Sequence, residues 1–176
     1  MSPRTTARLT GAFWLIVFIA GSAALAVPRG PLLGALNRAA SLSYVVVTIL
    51  LFQLLKPVNR PLALGALAAG LAGCTISLFS LSAVLHVRDL VLFGIQCVLV
   101  GYLIFESTFL PRVLGVLMMI AGLGWLTFAW PAFAAALTPF NLIPGMIGEG
   151  ITLVWLLVKG VKRDGTAEIA KSTGPS

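Results

Sequence analysis

The sequence predicts an all-α protein, a polytopic bundle of six transmembrane helices, and three observations support this fold class. Of the 176 residues, 59% are hydrophobic and only 10% are charged, whereas soluble domains carry about 25% charged residues. The mean hydropathy is +1.05, and the apolar residues are gathered into six long runs. This composition excludes a water-soluble globule, which needs more charged surface, and a disordered chain, which needs low hydrophobicity.

The six apolar runs approach the roughly 20 residues that a membrane-crossing helix requires. The predicted spans are Leu9–Val27, Ala39–Leu55, Leu62–Leu85, Leu90–Leu110, Val113–Leu137 and Leu142–Val158. Residues 1–160 are therefore expected to form one six-span domain, and residues 161–176 a short basic cytoplasmic tail, disordered at its end. The first span also resembles a secretory signal peptide, but its apolar run is longer than a usual signal core, so we expect an uncleaved helix.

Prolines and short polar turns separate the spans. Pro31 follows the first span, residues 56–61 join the second to the third, and residues 86–89 join the third to the fourth. Turns this short make consecutive helices antiparallel neighbours. Pro131 and Pro144 lie within the apolar segments, and because proline lacks a backbone N–H, we expect each of them to kink its span.

The distribution of Lys and Arg sets the expected orientation. With the N-terminus inside, the cations of the inner segments outnumber those of the outer segments. The inner cations are Arg4, Arg8, Lys56, Arg60, Arg112, Lys159, Lys162, Arg163 and Lys171, and the outer ones are Arg29, Arg38 and Arg88. Both termini are therefore predicted to be cytoplasmic. The net charge of +7 favours anionic lipids at the cytoplasmic face and requires no nucleic acid.

Small residues recur at helical spacing on three spans, a pattern that lets neighbouring backbones approach closely in a membrane. They are Gly65, Ala66, Ala69, Gly70, Gly73 and Ser77 in span three, Gly94 and Gly101 in span four, and Gly115 and Gly122 in span five. One interpretation is a face for a homo-oligomer or another membrane partner. The other, which we favour because many helices share the feature, is packing inside one bundle.

Three motifs follow one another along the chain: LLKPVNR at 54–60, GYLIFESTFLPRVLG at 101–115 and GEGITLVWLLVKGV at 148–161. Together they resemble a family of bacterial multi-span membrane proteins known only as a domain of unknown function. The likeness covers residues 54–161 well and the first 50 weakly, and Glu106 stands where the family pattern has a basic or neutral residue. The resemblance implies six spans in a bacterial inner membrane and no assigned activity.

Glu149 is the acidic residue predicted to lie deepest in the membrane. About ten residues separate it from Lys159, roughly 15 Å at helical rise. An ionisable residue inside a membrane is energetically costly and therefore usually has a structural or functional role. Its carboxyl group either provides a proton or cation site or anchors a ligand, or it is protonated or hydrogen-bonded and locks helices together. We favour the second interpretation, because Glu can stay neutral in an apolar site. The candidate partners at similar depth are Gln96, Tyr102, Tyr44, Thr48 and Ser77.

A second polar group is predicted at the inner surface. Glu106 lies at the end of span four, six residues before Arg112, while Lys56 and Arg60 belong to the inner turn between spans two and three. We expect a structural ion pair between Glu106 and these cations, since long basic side chains readily reach the membrane interface.

Catalytic and cofactor-binding patterns are missing from the sequence. His86 is the one histidine of the chain, which excludes bis-histidine haem ligation and a multi-histidine zinc site. Cys74 and Cys97 lack the spacing of a redox pair and are interpreted as small packing residues. The four tryptophans fit interfacial belts or packing. We therefore expect no metal, no cofactor and no enzymatic activity.

Three function classes remain after these exclusions. The preferred hypothesis is a structural or accessory membrane protein that binds a partner or a lipid. The alternative is a small-solute or proton-coupled transporter that uses Glu149. Transport is less favoured because the spans offer few polar residues to line a path, and because no inverted repeat relates the first three spans to the last three. A lipid-modifying enzyme is the weakest hypothesis, because nucleophile and metal candidates are missing.

Overall fold

The computed structural model of the protein describes residues 2–81 and 89–161, and these residues are helical almost throughout. The α-helices are α1 (Pro3–Ala26), α2 (Pro31–Leu55), α3 (Arg60–Leu78), α4 (Asp89–Glu106), α5 (Arg112–Leu126), α6 (Pro131–Leu137) and α7 (Ile143–Val158), with short 3₁₀ turns at Thr127–Ala129 and Phe140–Leu142. Within the described part of the chain, six helical segments are long and apolar enough to cross a membrane. The predicted all-α, six-span fold is thereby confirmed.

Two helices begin earlier than the hydropathy pattern predicts. The hydroxyl of Ser2 accepts a hydrogen bond from the backbone N–H of Thr5 at 3.2 Å, and α1 begins at Pro3, where proline loses no helical hydrogen bond. In the same way α2 begins at Pro31 rather than Ala39, which gives it 25 residues. The second span is therefore not short. The hydropathy pattern assigned its first turns to a loop because they carry polar residues.

The predicted fifth span is divided. Helix α5 ends at Leu126, where the hydroxyl of Thr127 donates to the carbonyl of Gly124 at 2.7 Å, and Pro131 begins the separate seven-residue helix α6. Pro144 lies in the first turn of α7, where its missing N–H leaves no helical carbonyl unpaired. The kinks predicted at Pro131 and Pro144 are thus wrong, since each proline lies in the first turn of a helix.

The six spanning helices form a closed ring. Each of α1 to α4 packs against the next helix in the chain. The ring is closed by contacts of α5 with α7 and of α7 with α1. A side chain at Gly160, just after α7, would lie 3.9 Å from Cβ of Ala7 and from the carbonyl oxygen of Arg4. The start of α1 and the end of α7 therefore meet at one end of the ring, which we name the terminus end. The opposite end is named the mouth end.

Pairs of glycines set the spacing between α4 and α5. A Cβ atom at Gly101 would lie 2.7 Å from the carbonyl oxygen of Gly115, and one at Gly115 would lie 2.6 Å from the carbonyl oxygen of Gly101. Gly94 and Gly122 face each other in the same reciprocal way. The small residues predicted on spans four and five are thus used for packing inside the bundle.

The small face of α3 is likewise turned inward in part. Gly70 packs against the amide of Gln96 and Gly73 against the ring of Phe93, both on α4, whereas Gly65 lies on the exposed side of the helix.

The two ends of the ring differ in how tightly side chains fill them. At the terminus end, large apolar side chains are almost completely buried: Leu54, Leu55, Leu103, Ile104, Leu114 and Leu156.

The segment predicted as the outer turn 86–89 lies outside the described residues, apart from Asp89, which begins α4. The tail beyond Val161 also lies outside them. The membrane face to which the terminus end is turned stays a prediction from the distribution of cations.

Candidate functional site

A cavity of about 410 Å³ occupies the mouth half of the ring, and each of the six spanning helices contributes to its wall. Ser22 and Asn37, both exposed, lie at its entrance, and Tyr44, Trp125 and Glu149 lie deeper. Most of the remaining wall is apolar. Its apolar members include Val17, Phe18, Leu90, Phe93, Leu142 and Met146.

Glu149 is the charged residue of this wall. It is the seventh residue of α7, about 9 Å along the axis from the helix start, and only 8% of its surface is exposed. Both carboxylate oxygens accept hydrogen bonds. The indole N–H of Trp14 donates to Oε2 at 3.2 Å, and that of Trp125 donates to Oε1 at 2.6 Å. The thiol of Cys97 also donates to Oε1, at 3.7 Å.

These three donors come from three different helices, α1, α4 and α5, so Glu149 ties α7 to half of the ring. Their arrangement depends on the glycines around Glu149. Gly145 lies one turn before it and leaves room for the indole ring of Trp125, while Gly148 packs against the carbonyl oxygen of Leu117. Glu149 is thus held at the floor of the cavity by close helix contacts that larger residues would prevent.

Tyr44, one of the predicted partners of Glu149, lines the same cavity wall. Its ring packs edge-to-face against Phe93 at 4.9 Å and against Trp14 at 6.4 Å between ring centroids. Its hydroxyl group also interacts with the thiol of Cys97, which in turn donates to Glu149. The floor of the cavity is therefore a connected group of aromatic and hydrogen-bonding side chains.

Gln96 and Tyr102, the other predicted partners of Glu149, do not line the cavity. The amide of Gln96 donates to the hydroxyl of Thr48 at 3.0 Å and packs against Gly70, between α2, α3 and α4. Tyr102 is 44% exposed on the outer surface of the ring. Gln96 is buried but turned toward α2 and α3, whereas the next residue, Cys97, contacts Glu149.

The predicted inner-face group lies at the terminus end but does not form the expected ion pair. Among the described residues, no basic nitrogen lies within 4.0 Å of the carboxylate of Glu106. Arg112 instead lies over the ring of Phe105, 5.7 Å from its centroid. Glu106, Arg60 and Arg112 are exposed, and Lys56 is partly exposed, so these side chains can be solvated separately where the helices end.

The predicted partners of Glu149 did not include Trp14, Trp125 and Cys97. One signal was available for the tryptophans. Trp14 lies at the middle of α1 and is completely buried, whereas Trp130 lies near the helix end and is 68% exposed, as expected for an interfacial belt. A tryptophan far from the interface must find a hydrogen-bond acceptor for its N–H, and Glu149 is the acidic acceptor at that depth.

The second half of the chain resembles a known protein family. Residues 88–160 match the model of the family described as Domain of unknown function (DUF4386). An uncharacterised protein of Archaeoglobus fulgidus is 28% identical over 126 residues, which cover 67% of this chain and 77% of the relative. No solved structure matches the chain. The resemblance to a family known only as a domain of unknown function is confirmed, while its restriction to bacteria stays a prediction.

Proposed function

We propose that this multi-pass membrane protein binds a small, mostly apolar molecule in the cavity above Glu149. One observation carries the proposal: the cavity of about 410 Å³, with an apolar wall and one carboxylate at its floor. Small-molecule sites usually have volumes of about 300–1,000 Å³ and combine apolar walls with a few placed polar groups. This is the ligand-binding form of the accessory role that the sequence favours, and it involves no chemical conversion of the ligand.

The filling of the ring supports binding rather than permeation. The cavity extends from the exposed Ser22 and Asn37 near the mouth end to the buried Tyr44 and Glu149. Beyond them, the terminus half is filled by buried leucines such as Leu55, Leu103 and Leu156. A solute that crossed the ring would have to displace this close-packed core.

Transport remains the second candidate because Glu149 lines a cavity whose described wall lies in the mouth half of the ring and does not extend into the terminus half. This is the arrangement expected of one state of an alternating-access carrier, whose site lies near the middle of the membrane. A carrier would need a second state in which the leucine core opens. Uptake of the bound molecule into proteoliposomes would favour this candidate over binding alone.

Location and lipid contact are part of the same proposal. We place the protein in the inner membrane with the terminus end facing the cytoplasm. Exposed cations at that end, Arg8, Arg60 and Arg112 among them, support contact with anionic lipid head groups.

Quenching of tryptophan fluorescence tests the binding proposal, because Trp125 lines the cavity and Trp14 lies behind Glu149. The variant Trp130→Phe/Trp155→Phe removes the two tryptophans that do not contact Glu149. A short brominated alkyl alcohol should then quench the remaining emission saturably. Ala40→Phe, which fills the cavity wall, should abolish the saturable component. The matched control Ala39→Phe, at the exposed neighbouring position, should retain it. Identical titrations for the two variants would contradict the proposal.

A further inference from the structure

We infer that the ligand of this cavity carries a cationic amine that pairs with the carboxylate of Glu149. The inference rests on the proposed function and adds the chemical class of the ligand.

The hydrogen-bond partners of Glu149 suit its charged form. All three described partners, Trp14, Trp125 and Cys97, donate, and they leave neither carboxylate oxygen without a donor. A carboxylate accepts such bonds on both oxygens, and hydrogen bonds from donors favour the charged form. A protonated carboxyl group would have to direct its own proton toward an acceptor, and among these three partners only the thiol of Cys97 can accept it, weakly. These donors can therefore stabilise the carboxylate form of Glu149 when a cation pairs with it.

Among residues 2–81 and 89–161, the cavity wall supplies no positive charge to pair with Glu149. Glu149 is the only charged side chain among the described residues of the wall. Arg38, the nearest cation along α2 to the entrance residue Asn37, is exposed and does not belong to the wall. A buried charge without a partner is costly in a medium of low dielectric constant. Such a carboxyl group either takes up a proton or pairs with a cation. The described wall offers no cation, so a cationic group of the ligand can take the place of that proton.

The rest of the wall fits an organic cation better than a metal ion. A hard cation such as Ca²⁺ takes six to eight oxygen ligands, whereas the deep wall offers one carboxylate and the hydroxyls of Tyr44, Ser41 and Ser77. The hydroxyl of Ser41 donates a hydrogen bond to the hydroxyl of Ser77 at 3.1 Å. Aromatic rings, by contrast, attract ammonium groups and alkyl chains alike. Phe93 and Trp125 provide such rings close to Glu149.

The experiment compares three brominated probes that share one alkyl chain and end in a primary amine, an alcohol or a carboxylate. Each is titrated against the Trp130→Phe/Trp155→Phe protein in detergent micelles, and the quenching seen with Ala40→Phe is subtracted as micelle partitioning. The amine should bind at least about tenfold more tightly than the alcohol, as a paired and desolvated charge allows, and the carboxylate should not bind. With Glu149→Gln, the amine and the alcohol should bind equally.

The outcomes separate the inference from the proposed function. Saturable binding of the alcohol that equals that of the amine would overturn the inference and leave the binding function standing. The same holds for carboxylate binding that matches amine binding. No saturable quenching by any probe would overturn both. The comparison of the three probes on Glu149-containing protein decides the inference even if Glu149→Gln does not fold.

Discussion

Gly145 lies beneath the indole ring of Trp125, so closely that a Cβ atom at position 145 would approach Cε2 of the ring to 2.6 Å. The same indole donates its N–H to Glu149, one helical turn further along α7. The absence of a side chain at Gly145 therefore determines where the shortest hydrogen bond to the buried carboxylate can form. A structural glycine and the polar group of the cavity are coupled through one aromatic ring.

Gly145→Ala is expected to lower the thermal stability of the protein in detergent. The added methyl group forces the Trp125 ring to move, and overpacking of this kind costs about 1–3 kcal/mol. Gly150→Ala is the matched control on the same helix, because its Cβ would meet Cε1 of Phe18 at an ordinary 3.6 Å. Thermal unfolding of both variants, with tryptophan emission as a second signal, provides the measurement. Equal unfolding temperatures would show that Trp125 does not depend on Gly145.

The glycine pairs between α4 and α5 give a second prediction. A Cβ atom at Gly122 would lie 2.7 Å from the carbonyl oxygen of Gly94, so Gly122→Ala should push the helices apart and cost about 1–3 kcal/mol. Gly65→Ala places its methyl group 3.6 Å from Cδ1 of Leu99 and should be neutral or slightly stabilising, because alanine favours helices over glycine. Folded yield after detergent extraction would distinguish them, and a loss of yield for Gly65→Ala alone would contradict the assignment.

Composition and spacing were sufficient to predict the six spans, because membrane helices must satisfy every backbone group internally and must be about 20 apolar residues long. The boundaries were harder to predict. Pro31 and Pro131 both begin helices, yet the first adds turns to a span and the second starts a separate helix. Hydropathy does not distinguish these cases, since polar residues can occupy a helical turn near the membrane surface.

The floor of the cavity was predicted only in part for a related reason. The depth of Glu149 followed from its place in an apolar run, and Tyr44 followed from its similar depth. The rotation of each helix about its axis did not follow, because nearly every position of these helices is apolar or small. Tyr102 and Cys97, five residues apart on α4, consequently could not be assigned to the outside and the inside. The closed ring fixes those rotations, and with them the indole partners of Glu149.

Orientation is open to a direct labelling test. The cation distribution predicts that the terminus end is cytoplasmic. Arg29→Cys, in the exposed connection at the mouth end, should react with a membrane-impermeant thiol reagent in intact cells. Arg60→Cys, at the terminus end, should react only after permeabilisation. The parent protein is the background control, since Cys74 and Cys97 are both buried. The reverse pattern of labelling would place the termini outside.

The last prediction concerns the two indoles that share Glu149. In Glu149→Gln, one of the two oxygens becomes an NH₂ group, which can only donate. Whichever way the amide turns, its NH₂ faces an indole N–H, and the shorter bond to Trp125 favours placing the remaining oxygen there. The NH₂ group then opposes the N–H of Trp14. Leaving a buried donor unsatisfied costs about 1–3 kcal/mol, so Glu149→Gln should be less stable than the parent protein.

Trp14→Phe should relieve this conflict, because it removes the opposing donor. Trp14→Phe alone loses both packing and a hydrogen bond. Combined with Glu149→Gln, it should cost less than the sum of the two single changes, with a coupling of about 1 kcal/mol, as expected for residues in direct contact. Trp155→Phe is the control: Trp155 lies under Lys159 at the terminus end, with 4.8 Å between the ring centroid and Nζ, and its change should add independently to Glu149→Gln. Thermal unfolding of the single and double variants provides the measurement, and strict additivity for the Trp14 pair would mean that the indole of Trp14 does not hold the carboxylate.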